Sequence, residues 1–208
     1  MNQKKYFIVS PTWVDFLTLG SLWLACLGLF LAYHARLSLA IVFMLLAMFV
    51  DMFDGLLARR LKLESEFGRQ LDSFCDVFTY LVLPLYILFQ MGMNDLLSLT
   101  ILFIYLVCGL LRLSKFNLVG VIEVEGSAYH LGLQVIWSHL FVALAFPIWL
   151  WLDGTAPYIL SPILLVMSIF MIGNLRFPKP TQYALQTLII LSVTVFYFYL
   201  HLIGVYTP

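Results

Sequence analysis

Charge is what this sequence has least of: eleven Lys and Arg and eleven Asp and Glu among 208 residues, with 63% of positions hydrophobic. So small a charged fraction excludes an ordinary soluble domain. There is no basic excess either, the formal net charge being +0, and no nucleic-acid partner is expected. Cysteine is nearly as scarce. Cys26, Cys75 and Cys108 are odd in number and fall in or beside apolar segments, which excludes a disulfide framework and leaves them as small apolar packers. No Gly-rich phosphate loop or Walker pattern occurs, so ATP is not the expected phosphoryl donor. Internal repeats, low-complexity tracts and linkers are also missing, and a single domain over 1–208 is expected. The opening "MNQKKYFIVSPTWVD" lacks a small-residue cleavage pattern, so 1–13 reads as a short interfacial segment and not as a cleaved leader.

What the chain does have is apolar length. Stretches able to cross a hydrocarbon core, about 20 residues each, run over 14–34, 38–58, 72–91, 96–113, 133–152, 157–174 and 182–204. Only helices or closed barrels satisfy their backbone groups in lipid, and these segments are too long and too apolar for barrel strands. The expected fold is therefore all-α: a polytopic transmembrane helical bundle of about seven spans. Alternating the seven puts every Lys and Arg except Arg36 on one side. By the positive-inside rule that side is cytoplasmic, with the N-terminus inside.

Within this apolar chain, "DMFDGLLARRLKLESEFGRQLDSFCD" at 51–76 carries four aspartates, two glutamates, three arginines and a lysine. Asp51 and Asp54 are three apart, and Asp72 and Asp76 four apart, so each pair projects from one face of its helix. Two helix ends joined by a short cytoplasmic turn can aim all four at one another. An uncompensated charge in a bilayer costs about 2.5–3.5 kcal/mol on the insertion scale, hence on the order of 10 kcal/mol for four. An all-carboxylate set is what hard divalent cations favour, and two such ions would balance four negative charges. Two-metal sites commonly serve phosphoryl transfer. Gly55, directly after an aspartate inside a helix, costs about 1 kcal/mol relative to Ala; it marks either a close approach to the backbone or helix packing.

The spacing Asp51-x-x-Asp54-Gly55-x-x-Ala58-Arg59, then eight residues, then Gly68-x-x-x-Asp72-x-x-x-Asp76 resembles in full the signature of the CDP-alcohol phosphotransferase family. The resemblance implies a six-helix family core, here with an additional C-terminal span, and transfer of a phosphoalcohol group from a CDP-alcohol to an acceptor hydroxyl with release of CMP. It implies that Asp51, Asp54 and Asp72 bind metal, that Asp76 is the general base and a possible further ligand, and that Gly55, Ala58, Arg59 and Gly68 form the CDP-binding surface. It implies two divalent cations, Mg²⁺ or Mn²⁺, with Ca²⁺ as a bound substitute, and a homodimer. The blocks "GRQLDSFCD", "CGLLRLSKFN" and "LRFPKP" are similar to the membrane-embedded phosphatidylserine synthases of bacteria and archaea. That implies CDP-diacylglycerol as donor, serine as acceptor and a cytoplasmic membrane as location.

Arg112, Lys115 and Asn117 are the candidates for holding the acceptor or its anionic group; positive-inside anchoring and helix capping are their simpler readings. The chain departs from the subgroup at Ser21, at "YLVLP" (80–84) and at "GLQVIW" (132–137), where two expected prolines are absent. The acceptor therefore stays open between serine and another alcohol such as glycerol 3-phosphate or an inositol phosphate. A divalent-cation transporter is the alternative of another class; it requires acidic residues near the bilayer midplane, whereas these lie at helix ends.

Overall fold

A computed structural model describes residues 12–63, 65–120, 122–124, 127–152 and 154–178, together with Val195 and Tyr199. The interfacial segment and the seventh span expected at 182–204 lie outside the described residues, apart from those last two. The other six expected spans are helical.

Helix α1 (Trp13–Tyr33) starts at a capping box: the Asp15 carboxylate accepts from the Thr12 amide at 2.6 Å, and the Thr12 hydroxyl accepts from the Asp15 amide at 3.4 Å, so two otherwise orphaned donors are satisfied. Helix α2 (Leu37–Leu61) lies along α1 and ends where Lys62 turns left-handed at φ 54°. The amide of Leu63 then returns to the Ala58 carbonyl at 3.0 Å and that of Lys62 to Arg59 at 3.3 Å, a Schellman closure that turns the chain back. Ser65 restarts it, its hydroxyl accepting from the Gly68 amide at 2.9 Å. Because of this cap, helix α3 (Glu66–Asp76) begins six residues before the expected span at 72.

After Asp76 the helix does not continue as a regular α-helix. A π-helical segment (Val77–Val82) intervenes before α4 (Leu83–Gln90), the whole run Glu66–Gln90 remaining continuous. The cause lies in Pro84. It has no N–H to give the carbonyl four residues back, and its ring would collide with it; that carbonyl belongs to Tyr80. The freed oxygen accepts instead from the Tyr105 hydroxyl at 2.6 Å and the Ser138 hydroxyl at 2.9 Å, which satisfy a buried backbone group.

Helix α5 (Leu96–Val119) starts at Asp95, whose carboxylate accepts from the amides of Leu97 and Ser98 at 3.0 and 3.1 Å. It runs six residues past the expected end at 113, carrying Lys115, Phe116 and Asn117 on a helix. Helices α6 (Trp137–Leu152) and α7 (Ala156–Ile172) are shorter, and α7 packs along α5. The α1, α2, Glu66–Gln90 and α5 runs are each long and apolar enough to cross a membrane. Exposed Trp23, Phe30, Phe103 and Trp151 lie on the outside of the helices, while Met44, Leu45, Met48, Leu81, Leu88 and Tyr105 fill the interior.

A small antiparallel sheet is added to the expected helices. Strands β1 (Ile122–Val124), β2 (Ser127–Leu131) and β3 (Arg176–Pro178) pair in that order, Tyr129 opposite both Ile122 and Pro178. Just beyond β2, Gly132 has φ +70°, and a Cβ there would run into the Met171 carbonyl. Only glycine lets the chain pass α7 so closely.

Leu81 and Gly109 meet the same way: a Cβ on Gly109 would overlap the fully buried Leu81 side chain. Gly109→Ala is expected to destabilise the protein by about 1–3 kcal/mol through overpacking, read as a lower unfolding temperature in detergent. Leu81→Ala in the same chain should recover part of the loss; an unchanged unfolding temperature in the single variant would show that the contact is slack.

Candidate active site

The C-terminal half of α2 and the second half of α3 bring carboxylates together from two helices and both sides of the Lys62 turn. One oxygen from each of Asp51, Asp72 and Asp76 lies within 4.8 Å of the other two, all three side chains being half-buried. Four-residue spacing in α3 puts Asp72 and Asp76 on one helix face, and α2 supplies Asp51 opposite them. Asp54 stands outside this group of three. It is buried at 4% exposure and turns toward α1, beside Thr18 and Asp15. The expectation that all four would converge on one point thus resolves into three that do and a fourth rotated toward a neighbouring cavity.

That cavity, of about 500 Å³, is lined by Asp15, Thr18, Asp54, Gly55, Ala58, Arg59, Ser65, Gly68, Arg69, Asp72 and Phe116, among others. All four positions expected to face the nucleotide line it, and Asp72 belongs both to its wall and to the carboxylate cluster. The two glycines differ in kind. At Gly68 a Cβ would sit 2.9 Å from Asp15 Oδ1 and 3.1 Å from Ser65 Oγ, so the small residue lets α3 start against α1. At Gly55 a Cβ would meet only the tip of Arg59, at 4.0 Å; the space above it belongs to the cavity. Arg60 is exposed.

Arg112 is buried at 8% exposure, lies with its guanidinium 5.2 Å from the Phe116 ring centre, and is the cation whose field reaches Asp76. Its Nε has no hydrogen-bond partner. With Lys115 it lines a second cavity of about 470 Å³, closed by Phe116, Gly120, Leu131, Met171, Gly173 and Asn174. Phe116 belongs to both cavities. Asn117 is placed differently: its side-chain oxygen accepts from the Ser73 hydroxyl at 2.8 Å, tying α5 to α3 one residue past Asp72. His130 is buried on β2 with its ring 6.0 Å from Phe116.

Buried polar atoms without partners show what the cluster suits. Asp51 Oδ1 and Asp54 Oδ2 accept no hydrogen bond, although buried polar atoms are normally paired. Carboxylates gathered from two helices, with a bare oxygen on Asp51 among them, are the donor set of a hard divalent cation, so the residues fit such an ion.

Sequence reasoning missed Asp15, Thr18 and Arg69 on the first cavity, Phe116 between the two, and Tyr80 behind the carboxylates. Thr12-x-x-Asp15 reads as a helix start and gives no hint that Asp15 also faces α3. Tyr80 was detectable, since it continues the four-residue spacing of Asp72 and Asp76.

A family model described as CDP-alcohol phosphatidyltransferase matches residues 12–206. Among curated relatives, a CDP-diacylglycerol–serine O-phosphatidyltransferase of Bacillus subtilis is 31% identical over 76% of this chain and 84% of its own length. One of the same name from Methanocaldococcus jannaschii is 29% identical over 79% and 73%. An archaetidylserine synthase of Methanothermobacter thermautotrophicus is 28% identical over 86% and 74%.

The contrast between the two glycines is testable by substitution. Gly55→Ala should unfold at the wild-type temperature yet bind a cytidine nucleotide at least about tenfold more weakly, about 1.4 kcal/mol, because its methyl group enters the cavity. Gly68→Ala should instead lower the unfolding temperature. Titration with CMP beside a thermal melt separates the two; equal behaviour of the variants would remove the distinction.

Proposed function

The chain belongs to the CDP-alcohol phosphatidyltransferase family, a membrane-embedded phosphatidyltransferase enzyme on that ground, and we propose that it moves the phosphatidyl group of CDP-diacylglycerol onto the hydroxyl of L-serine, forming phosphatidylserine and CMP. The observation that carries this reading is the placement of Asp72, shared between the carboxylate cluster and the cavity that bears Gly55, Ala58, Arg59 and Gly68. A diphosphate in that cavity would reach the carboxylates. Serine is supported by the names of the relatives, two of which are CDP-diacylglycerol–serine O-phosphatidyltransferases.

Asp51, Asp54, Asp72 and Asp76 would hold two divalent cations, Mg²⁺ or Mn²⁺, with Ca²⁺ as a substitute. When bound, such ions supply positive charge to the diphosphate and to the departing CMP. The protein's own groups do the rest. Gly55 and Ala58 leave room for the nucleotide, and Arg59 and Arg69 offer cations to its phosphates. The acyl chains of the donor stay beside the apolar helices. Asp76 takes the proton of the serine hydroxyl as its oxygen bonds to the phosphorus nearer the diacylglycerol and the bond from that phosphorus to CMP breaks.

Arg112 and Lys115 recognise the serine carboxylate from the second cavity, and Asn117 fixes α5 against α3 beside them. A different acceptor is the second reading: two cations on one cavity suit the phosphate of glycerol 3-phosphate or of an inositol phosphate as well as a carboxylate. Further parts of the proposal are a seventh span, an N-terminus and site facing the cytoplasm of a bacterial or archaeal cell, as the placement of Lys and Arg favours, and a homodimer.

CMP release by the purified protein with CDP-diacylglycerol is expected to require both serine and Mn²⁺ or Mg²⁺, and to stop on chelation. Release with glycerol 3-phosphate or inositol phosphate but not serine would replace the acceptor and keep the chemistry. Asp76→Asn should slow turnover by at least about 10²-fold, the range of a general base, while still binding CDP-diacylglycerol. Full turnover in that variant would remove Asp76 from the base role.

A further inference from the structure

Tyr80 is joined to the site at its side chain and to the bundle at its backbone. Its hydroxyl donates to Asp51 Oδ2 at 2.8 Å, the side chain is 3% exposed, and its ring rests 4.5 Å from the fully buried His139 ring. Its carbonyl, released by Pro84, is gripped by Tyr105 of α5 and Ser138 of α6. The backbone that carries the phenol is therefore tied to α5 and α6, and the buried ring is packed against His139.

From this geometry we infer that Tyr80 is a positioning residue for the metal ligand Asp51: by occupying Oδ2 it fixes the carboxylate and leaves Oδ1 as the oxygen presented to a divalent cation. This rests on reading the carboxylates as metal ligands. The pairing of atoms supports it, because Oδ2 is the oxygen that Tyr80 engages and Oδ1 the one without a partner. A carboxylate held at one oxygen by a rigid donor loses little freedom on binding an ion, which is how partners behind a ligand raise affinity. The π-helical segment supplies the aim. It begins directly after Asp76 and reorganises the turn that carries Tyr80, and such segments recur at functional sites.

The hydroxyl can be removed without removing the ring. Tyr80→Phe keeps the packing against His139 and the backbone bonds from Tyr105 and Ser138. Mn²⁺ binding to the full chain in lipid nanodiscs, without substrate, would be followed by electron paramagnetic resonance. The expected result is a dissociation constant raised about tenfold or more, with a matching rise in the Mn²⁺ concentration giving half-maximal CMP release. Tyr199→Phe is the control, since it deletes another buried hydroxyl, bonded to the Ala143 carbonyl at 2.7 Å; its Mn²⁺ affinity should equal that of the wild type.

An unchanged dissociation constant in Tyr80→Phe, or an equal loss in Tyr199→Phe, overturns the inference while leaving the metal reading in place. Failure of the wild-type protein itself to bind Mn²⁺ removes the metal reading and this inference together.

Discussion

A proline that cannot donate a hydrogen bond organises this site from eight residues away. Pro84 releases the Tyr80 carbonyl, the helix relaxes into a π-turn, and the oxygen is taken up by hydroxyls from α5 and α6. In a membrane interior an unpaired carbonyl costs several kcal/mol, so these two bonds hold α5 and α6 to the π-helical segment. Asp76 ends the regular helix just before the turn, and Tyr80, within it, reaches across to Asp51 on α2. The carboxylates are thus held by the same constraint that joins the helices.

Electrostatics presses in the opposite direction. Asp51, Asp72 and Asp76 share a small volume, with Asp54 nearby. Among the described residues, Arg112 is the cation whose field bears on Asp76, and it is itself buried with an unpartnered Nε. Carboxylates so arranged repel one another strongly where water is scarce. Their assembly in a marginally stable protein is consistent with a site shaped for bound cations rather than for stability.

Much of this was legible in the sequence because it depends on local rules. Six helical runs, four of them long enough to cross a membrane, were readable from apolar length, and the two aspartate pairs from helical spacing. Errors arose where tertiary context decided. Asp51 and Asp54 are three apart and so about 60° apart around the helix, enough to send one into the cluster and the other toward α1. The third helix begins at Glu66 because Ser65 caps it, a cue overshadowed by the polar residues before Asp72. Strands of three to five residues in a polar connection leave too short a pattern to show a period. The fit of Gly109 to Leu81, and of Gly132 to the Met171 carbonyl, joins positions far apart in the chain, and no local pattern carries it.

The small sheet has a bearing on the order in which the protein is built. The Leu131–Arg176 pairing and the bonds from Gly132 to Leu175 and from Leu133 to Phe170 cannot close until α6 and α7 have been synthesised and have returned to the end of α5. The first cavity needs nothing beyond residue 116. The second waits for Met171, Gly173 and Asn174. During synthesis, the half of the enzyme that bears the first cavity can therefore take shape early, and the other half is completed only when the sheet latches the late hairpin onto the earlier helices.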